Sequence, residues 1–61
     1  MKTNWTIGDV MRFEGRKETI YGVIVSKAKR NTRLFRILWF DDGQTSEEDE
    51  HSEYSRVTKV A

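Results

Sequence analysis

The chain has no cysteine, one histidine, and no apolar run near the ~20 residues that a membrane-spanning helix needs. Without cysteine there is neither a disulfide nor a thiolate zinc site. The lone imidazole, His51, cannot build a histidine metal centre by itself. Two common staples of very small domains are therefore missing, and stability has to come from apolar packing or from association. The opening "MKTNWTIGDV" has no apolar stretch of the length a secretory signal requires. The absence of thiols suits a reducing compartment. A soluble cytoplasmic protein with no membrane partner is the expectation.

What is present is short. Sixty-one residues suggest one small domain, 1–61. A chain of this size buries only about 60% of the surface it exposes when unfolded, so its core is marginal. The net charge of +1 conceals a strong asymmetry. Residues 1–40 hold nine Lys or Arg against three Asp or Glu, and residues 41–61 hold two against seven. Folding either neutralises these halves against each other or leaves two opposed surface fields.

Four runs read as strands. In "VMRFE", Met11 and Phe13 share one parity and Val10, Arg12 and Glu14 the other, the mark of a half-buried strand. Residues 15–18 form the following loop. "IYGVIVS" is rich in β-branched residues, with Val23 and Val25 expected to face the core and Tyr21, of the same parity, at the strand's mouth. Gly22 inside this run suggests a bend or a close backbone approach. "KAKRNTR" is a basic connection with Asn31 as its turn residue. In "LFRILWF", Arg36 marks the solvent parity, which sends Phe35, Ile37 and Trp39 inward and Leu38 and Phe40 outward. "SRVTKV" closes the set, with Val57 and Val60 as its apolar residues. Strands are expected at 9–14, 20–27, 34–40 and 56–60, with no helix longer than about two turns.

Asp42-Gly43 directly after the third run is a hairpin signal, because Gly accepts the positive φ such turns need. A short, exposed edge strand should then start near Gln44. Between Phe40 and Tyr54 there is no strongly apolar side chain, and Asp41, Asp42, Glu47, Glu48, Asp49, Glu50 and Glu53 are acidic. A helix here would have no apolar stripe to bury, so only a single turn near residues 50–54 is expected. Carboxylates become catalytic when burial or a partner shifts them, and nothing apolar in this stretch shields them. The spacing also lacks the ligand pattern of a calcium loop. This segment reads as a solvated acidic face that discourages edge pairing, and His51 reads as a surface residue. No catalytic residue, metal ligand or cofactor is expected.

The stronger binding signal is basic. Lys27, Lys29, Arg30, Arg33 and Arg36 place five positive charges within ten residues, uninterrupted by an acid. They suit phosphate contacts, and Tyr21 and Phe40 could stack bases nearby.

These residues together resemble a family. "WTIGD" before the first strand, then "YGVIVS", "FRILWFDDGQT" and "YSRV", resemble the Tudor-like branch of SH3-like barrels across residues 5–60. The rhythm is also similar to small SH3-like proteins of tailed bacteriophages. The resemblance implies an all-β fold, a small five-stranded barrel. It also implies an aromatic cage for a cation: Tyr21 matches the cage tyrosine of the second strand, Trp39 the aromatic before the hairpin turn, and Gln44 the ligand-orienting asparagine. Asp42 stands where the second hairpin aromatic would be. The expected function is a non-catalytic binding module that docks onto a larger protein or nucleoprotein assembly, phage-encoded and working in the host cytoplasm. DNA or RNA binding through Lys27 to Arg36 is the alternative, and a structural subunit of a virion-type assembly the third. Self-association through Leu38 and Phe40 is a further expectation.

Overall fold

The computed structural model describes residues 5–52 and 56–60. Five strands form a single sheet: β1 Val10–Glu14, β2 Thr19–Lys27, β3 Leu34–Trp39, β4 Thr45–Asp49 and β5 Val57–Lys59. Their order is β4-β3-β2-β1-β5, every pairing is antiparallel, and the sheet curls into a half-barrel consistent with a small SH3-like barrel. Among the described residues there is no helix. None is therefore long and apolar enough to cross a membrane.

The inner face follows from alternation. Met11 of β1, Ile24 of β2, Phe35 and Ile37 of β3 and Val57 of β5 are buried, and Phe13 and Trp39 pack against them half-buried. Trp5 lies ahead of β1 and closes this core, its ring edge-on to Phe35 with centroids 5.8 Å apart. Its backbone N–H donates to Glu50 Oε2 at 3.3 Å, which ties the start of the described chain to the end of β4. Gly8, at φ 98°, donates its N–H to the Ile24 carbonyl and delivers the chain into β1. Only Gly takes such a φ without strain.

The phase of β2 is opposite to the sequence expectation. Ile24 is 1% exposed, while Val25 is 41% exposed and Val23 half-buried on the outer face. The cause lies in register. Ile24 pairs with Ile37 and Gly22 with Trp39, so the even-numbered residues share the face of the inward aromatics. Gly22 is needed there because a Cβ would lie 2.5 Å from the Leu38 carbonyl oxygen and 2.8 Å from Trp39 Cε3. Beyond Ile24 a bulge shifts the register, pairing Ser26 with Arg36 and Lys27 with Phe35.

The turn after β3 is built as the Asp-Gly signal indicates. Gly43 has φ 73°, and its N–H donates to the Trp39 carbonyl at 3.0 Å. The Trp39 N–H donates in turn to the Gln44 carbonyl at 2.9 Å. β4 follows at once as an edge strand. Glu50 and His51 form a turn, with the His51 N–H on Asp49 Oδ1; the rest of the helical turn expected near residues 50–54 lies outside the described residues from residue 53. Val60 is 40% exposed and sits just past β5.

Candidate functional site

At the end of β3 the inner face opens into a pocket of 270 Å³. Phe13 from the end of β1, Ile20 from the start of β2 and Trp39 from the end of β3 form its apolar wall. The β3–β4 turn contributes Asp41, Asp42 and Gln44, and β4 contributes Ser46 and Glu48. Among the described residues no Lys or Arg lines it.

Trp39 is held from three sides. Phe13 meets it edge to face, centroids 6.3 Å apart at 70°. Gly22 lies close beside it, leaving no space for a side chain. Its indole N–H donates to Ser46 Oγ at 2.7 Å, and the Ser46 hydroxyl donates to Glu48 Oε2 at 3.0 Å. Ser46 pairs with Ile37 and Glu48 with Phe35, so alternation turns both toward the inner face. The turn is equally fixed, because the Gln44 N–H donates to Asp42 Oδ1 at 2.9 Å. Asp41 makes no side-chain hydrogen bond or ion pair within the described residues and is exposed at the rim.

Fixed aromatic walls with carboxylates around them attract a cation for two reasons. A ring face carries partial negative charge, and an ionised carboxylate accepts charge-assisted hydrogen bonds.

The residues singled out from the sequence are distributed over three places. Trp39 and Gln44 belong to the pocket. Tyr21 does not: it neighbours Gly22 in β2, pairs with Arg12 and points to the outer face, 46% exposed. Phe40 is 59% exposed, its N–H donating to the Tyr21 carbonyl. Around these two, Val10, Val23 and Leu38 lie in one row across β1, β2 and β3, making an apolar band on the outer face.

The basic residues lie at the opposite end of β3. Lys27 sits over the Phe35 ring, its Nζ 5.2 Å from the centroid. Glu47 on β4 receives both Arg30, at 3.3 Å, and Arg36, at 3.7 Å. Lys29 and Arg33 are exposed and have no ion pair among the described residues. The acidic strand thus has two faces: Glu47 partly neutralises the basic end, and Glu48 serves the pocket.

Phe13 was not among the sequence candidates, and Asp41, Asp42 and Glu48 were read there as part of a solvated acidic face, whereas the structure lines the pocket with them. Phe13 could have been found, since it shares the inner parity of Met11 and lies near the end of its strand. Glu48 gave no such signal, because β4 has no apolar residue to mark its inner face.

No family model, no curated protein and no solved structure matches this chain. The structure itself defines a small all-β domain carrying an aromatic and acidic pocket at one end of its sheet.

Proposed function

We propose that the protein is a non-catalytic binding module that docks onto a larger protein or nucleoprotein assembly, and that its pocket receives a positively charged group of that partner. The observation that carries this reading is the lining: Phe13 and Trp39 as walls, with Asp41, Asp42 and Glu48 around them and no positive side chain of the described residues among them. Ser46 is engaged in positioning, accepting from Trp39 and donating to Glu48, which fits a binding role. The outer apolar band around Tyr21 and Phe40 adds area for a protein contact. That the module is phage-encoded and acts in the host cytoplasm is part of this proposal and rests on the resemblance of the sequence rhythm alone.

The test is a titration of isotope-labelled protein with a Lys- and Arg-containing peptide and with an acidic peptide of equal length. The basic peptide should shift the Trp39 indole N–H resonance, and Asp41→Asn with Asp42→Asn should weaken that response several-fold. The amide oxygen that Asp42→Asn introduces could still accept the Gln44 N–H, so the turn should persist. A basic peptide that leaves Trp39 unmoved would refute the reading.

A second reading, nucleic-acid binding, is favoured by the exposure of Lys29 and Arg33 without ion pairs among the described residues. Such binding should fall steeply with salt through counterion release and vanish in Lys29→Glu, Arg33→Glu. Binding of nucleic acid unchanged by that double substitution would exclude this loop as the contact.

A further inference from the structure

We infer that the group the pocket is built to hold is a guanidinium, the arginine side chain of a partner protein, in preference to a quaternary ammonium. This inference rests on the cation-binding reading above and specifies its ligand.

The argument turns on which contacts the pocket leaves unsatisfied. A quaternary ammonium has no N–H and gains only from aromatic faces and diffuse charge. The pocket has just two aromatic walls among the described residues, Phe13 and Trp39, whereas three carboxylates surround them. Internal hydrogen bonds use one oxygen of Asp42, in accepting the Gln44 N–H, and one of Glu48, in accepting the Ser46 hydroxyl. Among the described residues no hydrogen bond or ion pair engages the second oxygen of either or the oxygens of Asp41, so these can accept from an incoming donor. A ligand that cannot donate would displace part of the water on those carboxylates and return only diffuse charge attraction, with no hydrogen bond. A donor-rich cation satisfies them.

Among donor-rich cations the arrangement favours guanidinium over a primary ammonium. The carboxylates come from separate places: Asp41 and Asp42 from the β3–β4 turn, Glu48 from β4. A guanidinium spreads five N–H donors around a rigid plane and can meet separated oxygens at once, while its flat face lies on an aromatic ring. An ammonium concentrates three donors at one point and carries a tighter hydration shell. Trp39 is suited to receive the flat face, because Phe13, Gly22 and Ser46 fix its ring before any ligand arrives. A preorganised wall spares the partner the ordering cost.

The experiment compares three blocked tripeptides, acetyl-Gly-Xaa-Gly-amide with Xaa as arginine, lysine or trimethyllysine. Each is titrated into the full chain and followed at the Trp39 indole N–H. The arginine peptide should bind about tenfold or more tightly than the trimethyllysine peptide, as charge-assisted hydrogen bonds require, and more tightly than the lysine peptide. In the Asp41→Asn, Asp42→Asn, Glu48→Gln variant the arginine preference should collapse. The amide oxygen that Glu48→Gln introduces could still accept from Ser46, so Trp39 should stay in place. Trimethyllysine binding as tightly as arginine, or lysine binding as tightly or more so, would overturn the guanidinium assignment and leave the cation reading standing. Failure of all three peptides to bind would overturn both.

Discussion

Substituting Gly22 by Ala tests how the sheet holds Trp39. The added methyl would sit 2.5 Å from the Leu38 carbonyl oxygen, 2.8 Å from Trp39 Cε3 and 3.1 Å from Ile37 Cγ2. The first is backbone and the second a ring already held by Phe13 and Ser46, so neither yields cheaply. Either β2 and β3 separate or Trp39 tilts toward the pocket. Overpacking of this kind costs about 1–3 kcal/mol. Removing a glycine also narrows the unfolded ensemble, which returns about 0.4–1 kcal/mol. The steric cost is the larger of the two, leaving a net loss of about 1–2 kcal/mol. For a domain of this size that lowers Tm by roughly 4–16 °C. Thermal and urea denaturation followed by circular dichroism measure the loss, and the Trp39 indole N–H shift reports the tilt. An alanine variant that melts with the parent and keeps the parent's indole resonance would refute the close contact and the argument that Gly22 positions Trp39.

Gly43→Val should cost on the order of 1 kcal/mol or more from positive φ alone, because no atom lies within 4 Å of the Cβ position; wild-type stability in urea would count against the turn. Asp9 should mark the acid limb of stability. The backbone N–H of Thr6, at 2.7 Å, is the main cause that holds its carboxyl below the ordinary 3.8, aided by Lys59 at 3.3 Å and opposed by partial desolvation. A folded pKa below the unfolded one means that the contribution is complete at neutral pH, begins to fall near the unfolded pKa and is lost as pH drops through the folded value. Asp9→Asn should therefore flatten the acid limb, and parallel loss of stability in variant and parent between about pH 5 and pH 2 would contradict this. Glu47→Gln should cost less than about 1 kcal/mol, since its partners lie at the surface, with Arg30 83% exposed. Under the nucleic-acid reading it should nonetheless raise DNA affinity at low salt by releasing Arg30 and Arg36, and unchanged affinity would show that Glu47 does not screen the basic end.

The strands were legible because their alternation is clean. Met11 and Phe13 against Arg12, and Phe35, Ile37 and Trp39 against Arg36, mark inner and outer faces without ambiguity. Asp42-Gly43 marks the turn for the same local reason, the conformational freedom of glycine. The phase of β2 was not legible. Ile20 and Ile24 stand on one parity and Tyr21, Val23 and Val25 on the other, so the larger apolar set pointed to the wrong face, and the bulge beyond Ile24 is invisible without the partner strand. Only the close pairing of Gly22 with Trp39 decides it, and that is a contact between distant residues. This phase governs the site: it sends Tyr21 to the outer face and leaves Phe13 to line the pocket with Trp39. In β4 the same difficulty takes another form. Ser46 and Glu48 face inward only because the β3 register places them there, and a strand of polar residues carries no mark of which side is which.

The measurement that tests the central claim most directly is an intermolecular NOE experiment on the protein with the arginine tripeptide. The account predicts NOEs from the arginine δ-methylene protons to the rings of Phe13 and Trp39, and none to Tyr21. NOEs to Tyr21 and Phe40 instead would place the functional face on the outside of the sheet and contradict the pocket as the binding site.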